Sequence, residues 1–359
     1  MNIDHQLNRR QMLQRAGMGI GSLGLASLLQ QEGYGAAKNP LTAKQPHFKT
    51  KAKSVIWLFI NGGPSHVDTW DYKPELEKRD GQALEGFDRF TGFFANAVGG
   101  LMKSPFEFKK HGQSGKPVSS IFPNLSQHVD KMAFVHSVHT ESNNHSPALF
   151  AMNCGLPRMG YPCVGSWVTY GLGSESDSLP AFVVMSDPKG RGLPKGHAAN
   201  WGAGFLPSVY QGTHFRPTGD PIDNLKRPGG MNAEQQRRQL DLLKTLNQQH
   251  FEANPFEEEL AARIESFELA YRMQSAAPEA LAVDKEPEHI RAMYGLDDAK
   301  CKHFAAQCLT ARRMVERGVR FIQIYSGGME NQRSWDGHND IAGNHTQFAG
   351  ETDKPIAAL

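Results

Sequence analysis

A chain of 359 residues with 39% hydrophobic and 21% charged side chains has an ordinary globular composition, long enough for one large domain or two modest ones. Its net charge of +2 and the lack of any basic run interleaved with aromatics exclude a nucleic-acid-binding character, and nothing marks an anionic membrane surface as partner. Gly at 36 and Pro at 21 imply many loops around a core, and the 15 histidines, several of them clustered, suit metal or acid–base chemistry.

The chain opens on an address. Arg9-Arg10 is followed by Gln11-Met12-Leu13 and then by a weakly apolar, Gly-rich stretch over 16–29. That is the form of a twin-arginine export signal over residues 1–37, with a cleavage region around Tyr34-Gly35-Ala36-Ala37 and a destination in the periplasm or cell envelope. The apolar run is too short and Gly-rich for an integral membrane span. Residues 38–53 are polar and basic and read as a linker.

Residues 54–60 form a continuous apolar run of strand length, which suits a central strand buried on both faces. It ends at Asn61-Gly62-Gly63-Pro64, a turn at a strand's carboxyl end, where open α/β sheets place ligands. Residues 81–117 have no clear period and read as an irregular excursion. A short helix is expected over 121–130 and a second strand over 132–138. Another helix is expected from 145, with Asn143 or Asn144 as cap and Pro147 in its first turn. Its start offers backbone N–H groups and a positive dipole end to an anion, with His145 and Ser146 where a reacting group would sit.

Further on, residues 181–186 read as a third strand and 187–225 as a loop in which Arg191, Lys195, His197 and His214 face an anionic substrate or only water. The stretch 232–275 reads as two helices broken near Pro255, a helical insertion. Residues 298–317 form an amphipathic helix capped by Gly318, and 320–325 a fourth strand. Strands alternating with helices predict a three-layer α/β sandwich with a mostly parallel central sheet. The chain stops inside a helical pattern, as a C-terminally truncated domain would. Of the four cysteines, Cys154 and Cys163 are spaced to bridge a short loop. Cys301 and Cys308 lie about 10 Å apart along a helix, too far to bridge each other.

Three segments carry a family resemblance: residues 61–74 with Asn61-Gly62-Gly63-Pro64-Ser65-His66-Val67-Asp68-Thr69-Trp70-Asp71; His145-Ser146-Pro147 with Gly155; and Ser334-Trp335-Asp336-Gly337-His338-Asn339. From about residue 50 onward the chain resembles an uncharacterised bacterial export family, a domain of unknown function distantly related to sulfatases and alkaline phosphatases. The resemblance implies an alkaline-phosphatase-like fold. Pro147 and Gly155 fall in register with the sulfatase helix-start motif. That register sets His145 where sulfatases carry the Cys oxidised to formylglycine, and Ala148-Leu149 in place of Ser-Arg. The first strand ends in Asn61-Gly62 rather than in metal-binding Asp, and Asp336-x-His338 is a shortened form of the usual Asp-x-x-x-His.

Two readings are open. In one, His66, Asp68, Asp336 and His338 hold a divalent metal (Zn, Ca or Mg), and His145 and Ser146 serve catalysis of phosphate or sulfate ester hydrolysis. The substrate would be an anionic small molecule or saccharide ester. In the other, the chain is a binding or scaffold protein that keeps the superfamily fold without the nucleophile. Turn chemistry at Asp68 and Asp71 and a solvated loop at His338 and His345 fit the second reading.

Overall fold

The computed structural model describes residues 39–86, 99–216, 229–253 and 258–359, with 221, 222, 225 and 227 between them. The expected export signal over 1–37 lies outside the described residues, as does Pro255. The first half of the chain holds β1 (Val55–Ile60), α1 (Pro74–Lys78), β2 (Phe108–His111), β3 (Lys116–Ser119), α2 (His145–Cys154), α3 (Val164–Leu172) and β4 (Phe182–Met185). The second half holds β5 (Thr213–Phe215), α4 (Ala233–Ala253), α5 (Glu258–Leu281), α6 (Glu288–Tyr294), α7 (Lys302–Val315), β6 (Phe321–Ser326) and α8 (Ile341–Ala358).

β1, β6, β4 and β5 make a four-stranded sheet in that order, parallel throughout, with Val55 opposite Phe321 and Phe321 opposite Phe182. Period-two alternation sorts the side chains of each strand between two helical layers. Ile322 and Ile324 of β6, with Val183 and Met185 of β4, pack against Phe304, Cys308 and Leu309 of α7, Met273 and Ala277 of α5, and Tyr294 of α6. Phe321 and Tyr325 with Phe182 and Val184 pack on the other face against Cys163, Val168 and Trp201. Each fully buried Ile contributes roughly 1.5–3 kcal/mol to holding the layers together. The molecule is thus a mixed α/β fold with helices on both faces of a parallel sheet. Among the described residues no helix is long and apolar enough to cross a membrane.

Several expectations are corrected. β1 is not central: among the described residues it pairs with β6 alone, and Val55 is 38% exposed. Residues 132–138 form no strand. Val135 and Val138 are 78% and 65% exposed, and Phe134 instead packs its ring at a tilt against Trp70, so an apolar stretch without a neighbouring strand stays irregular. The expected helix at 121–130 is a 3-10 helix over Leu125–Lys131, and the expected excursion at 81–117 holds most of the β2–β3 antiparallel pair. The loop over 187–225 carries β5. All four cysteines are free. Cys154 is the last residue of α2 and Cys163 the N-cap of α3, and burial pushes the Cys154 thiol up to about 12, which leaves it inert. Gly318 comes after α7 with φ +86, as its cap role requires.

Candidate metal centre

The carboxyl ends of β1 and β6 are neighbours, and hydrogen bonds tie the turn after β1 to the loop after β6. Trp335 donates its backbone N–H to the Asn61 carbonyl at 2.9 Å, and its indole N–H to Ser326 Oγ at 3.0 Å. Gly62 sits between them with φ +108. A Cβ there would stand 2.5 Å from Ser334 Oγ and 2.6 Å from the Asp336 backbone nitrogen, so only glycine admits this approach. Asn61 is buried and its amide donates to the Gly328 carbonyl, which locks the turn after β6 onto β1.

α2 delivers the third piece. Asn144 caps it, its side-chain oxygen accepting the Ser146 N–H at 3.1 Å, and Gly155 closes it with φ +83. A buried polar relay sets its position over the sheet. Gln323 of β6 donates to Asn153 Oδ1 at 2.9 Å and to the Tyr325 hydroxyl at 2.6 Å, and Asn153 donates to Asn200 Oδ1 at 3.2 Å. His145 therefore points to the rim from a helix fixed at its far end. None of this relay stands out in the sequence, because single Asn and Gln residues give no periodic signal.

At the rim Asp336 lies between two imidazoles. Its Oδ1 is 2.6 Å from His338 Nε2 and its Oδ2 is 3.2 Å from His145 Nε2, while the Asn331 N–H donates to Oδ2 at 2.8 Å. Asn331 adopts φ +57 to make that bond. One nitrogen from each imidazole and a carboxylate oxygen all lie within 4.8 Å of one another. Two imidazoles and one carboxylate are the donor set of open zinc and related divalent sites, and the 3.2 Å separation matches the spacing of ligands around one small ion. Asp336 is buried, whereas His145 and His338 keep 33% and 41% side-chain exposure, so the centre is open to solvent on one side.

Of the expected site residues, Asp336, His338 and His145 lie together in one cluster that could hold a metal ion. His66 and Asp68 lie outside this cluster. Asp68 is buried in the 3-10 turn after β1, where its carboxylate accepts the Ser65 hydroxyl at 2.5 Å, and His66 is exposed on the same turn. The Ser65 N–H donates to Nε2 of the fully buried His345, whose Nδ1 has no partner among the described residues. Burial holds His345 below the usual imidazole range, with the Asp68 charge opposing.

The anion-binding expectation for the start of α2 is reduced. The Ser146 N–H is taken by Asn144, Pro147 has none, and Ala148 donates to the Asn144 carbonyl, so His145 alone keeps an available first-turn donor among the described residues. Three of the four expected loop residues are also engaged: Arg191 is paired with Glu351 and Asp187, Lys195 with Glu330, and His214 with Ser186 Oγ, while His197 is exposed.

Residues 52–359 match the family described as Protein of unknown function (DUF1501), and the chain belongs to that family. No curated protein and no solved structure matches it.

Proposed function

We propose that this chain is a metal-dependent hydrolase of phosphate or sulfate esters, built on an alkaline-phosphatase-like sheet and exported through the twin-arginine pathway. One observation carries the reading: His145 at the start of α2 and Asp336 and His338 in the loop after β6, far apart in sequence, bring three possible metal donors to one solvent-facing point at the carboxyl rim of a parallel sheet. His145 and His338 would supply nitrogen ligands and Asp336 an oxygen ligand. The Asn331 N–H orients the carboxylate, as outer partners of metal ligands do. A bound divalent ion lowers the pKa of water and offsets the charge of the ester.

Because α2 offers a single first-turn N–H, a divalent ion held by His145, Asp336 and His338 would have to supply most of the neutralisation of the anion. Ser146, half-buried beside His145, is the nearest hydroxyl in sequence for nucleophilic attack. A non-catalytic binding protein is the second reading. Asn61, rather than an acid, ends β1 and is consumed in a structural bond, which favours it.

The test is turnover of 4-nitrophenyl phosphate and 4-nitrophenyl sulfate with Zn²⁺, Mn²⁺ or Mg²⁺ added. The hydrolase reading requires turnover that chelation abolishes and that Asp336→Ala lacks. Turnover that survives both, or none with any metal, contradicts it.

A further inference from the structure

The loop after β4 and the loop after β6 are joined beside the candidate metal centre. Met329 donates its backbone N–H to the Arg191 carbonyl at 3.1 Å, and the Lys195 ammonium is paired with the Glu330 carboxylate. Each partner of that pair is tied to an element of the centre. The peptide that joins Glu330 to Asn331 donates its N–H, at 2.8 Å, to the same Asp336 oxygen that lies 3.2 Å from His145 Nε2. On the other side Gly196, next to Lys195, lies against the ring of Phe150 in α2, and Asn200 of the same loop accepts the Asn153 amide at 3.2 Å. The ion pair therefore stands at the rim on segments that also hold Asp336 and His145. Both of its side chains are half-buried, so a solute can meet them.

Charge narrows what such a rim accepts. A divalent ion held with the Asp336 carboxylate leaves one unit of positive charge, the two imidazoles being neutral as ligands. Lys195 adds one unit and Glu330 removes it. Arg191 and Lys189, earlier in the same loop, are matched by Asp187 and Glu351. Doubling the charge of an anion doubles its attraction to the rim but quadruples the cost of drawing it out of water. A single net positive charge from these groups thus favours a singly charged ester over a doubly charged one.

We propose that Lys195 and Glu330 set the charge of the ester taken at this site. Lys195 attracts the ester oxygens, Glu330 cancels the excess, and the substrate is a singly charged oxyester, a sulfate monoester or a phosphate diester, rather than a phosphate monoester dianion. The substrate class rests on the hydrolase reading above; charge selection rests on the Lys195–Glu330 pair.

The test is calorimetric titration of the Zn²⁺-loaded chain with three analogues at about pH 8.5, where a phosphonate carries two charges. Benzenesulfonate stands for the sulfate ester, methyl(phenyl)phosphinate for the phosphate diester and phenylphosphonate for the dianion, and hydrolysis leaves their C–S and C–P bonds intact. In the wild type the two singly charged analogues are expected to bind about tenfold more tightly than phenylphosphonate, and the tighter of them names the ester. Glu330→Gln bares Lys195 and is expected to move the ratio about tenfold toward phenylphosphonate; Lys195→Gln is expected to move it the other way. The variant with both changes keeps the net charge and is expected to return to the wild-type ratio. Phenylphosphonate bound by the wild type as tightly as the other two, or a ratio that neither single variant moves, overturns the proposal. Repeating the series in EDTA keeps it apart from the hydrolase reading. A Glu330→Gln shift that persists without the ion supports the role of the pair even where turnover fails to appear, and a shift seen with the ion alone supports both.

Discussion

At the scale of residues, Asp336 decides most. A buried carboxylate between two imidazoles is stable without an ion through its hydrogen bonds to His145, His338 and Asn331, and one small cation can take the place of those two imidazole contacts. Asp336→Asn keeps the shape and removes the charge. It is expected to weaken Zn²⁺ binding by roughly 100-fold or more, since even outer partners of metal ligands carry 10–100-fold effects. Titration with a chromophoric chelator reads this directly, and an unchanged affinity argues that the three side chains form only a hydrogen-bonded cluster. The Asp336-x-His338 pair was visible in the sequence because its two members are close neighbours. His145 was visible as a helix-start residue whose convergence with the 336–338 loop at a common sheet edge the topology allowed, but the contact itself spans almost two hundred positions and nothing local encodes its partner atom. Asn331 was not visible at all: a positive φ on a non-glycine residue leaves no mark in composition or period.

At the scale of elements, the strands that declare themselves are those buried on both faces. β4 is a continuous apolar run and β6 is apolar apart from Gln323 and Ser326, and the structure buries every residue of each. The same kind of run in β1 suggested a central position, yet β1 is a half-buried edge among the described residues. Hydrophobicity records how much a strand buries, not how many neighbours it has. Residues 132–138 show the reverse failure, an apolar, β-branched stretch that no strand receives. The helices were easier. The Asn144 cap, Pro147 and Gly155 delimit α2 by local chemistry, and Gly318 does the same for α7. The turn between β1 and the metal centre gives the sharpest element-level prediction. Gly62→Ala places a methyl against the backbone of Trp335 and Asp336 at a φ that alanine resists. It is expected to displace the 334–336 segment, costing roughly 1–3 kcal/mol in denaturant unfolding and weakening metal binding with it. Gly63 has the same sign of φ but open space around its Cβ, so Gly63→Ala is expected to disturb the centre less; equal effects would count against the close approach as the cause.

At the scale of the whole molecule, the layered parallel sheet was legible from the alternation of strands and helices. The charge cluster that joins its distant parts was not. Glu351 of α8 is buried among Arg191, Lys189 and His303, and Arg191 also reaches Asp187, whose carboxylate accepts the Gly327 N–H at the end of β6. Burial alone would raise the Glu351 pKa, but hydrogen bonds from His303, Arg191 and Lys189 outweigh it and hold the carboxyl far below its ordinary value. A depressed acid contributes its stability above the unfolded-state pKa and loses it as pH falls toward the folded one. The wild-type chain is therefore expected to lose stability steadily below about pH 4.5. Glu351→Gln is expected to be less stable at pH 7 by roughly 3 kcal/mol, because it strands buried cations, and to show a flatter acid limb. Urea midpoints at pH 7 and pH 3 compare the two chains, and parallel acid limbs would mean that Glu351 does not set the acid sensitivity. The same cluster pins α8 against the loop after β4, so the rim carrying the candidate metal centre is braced from behind.

The decisive measurement is the metal content of the purified chain after equilibration with Zn²⁺ and removal of the free ion, wild type beside His145→Ala, Asp336→Ala and His338→Ala. One equivalent in the wild type, and well below one in each folded variant, is the result expected of a centre built from these three side chains. A wild type that retains no metal, or variants that retain as much as the wild type, would contradict it.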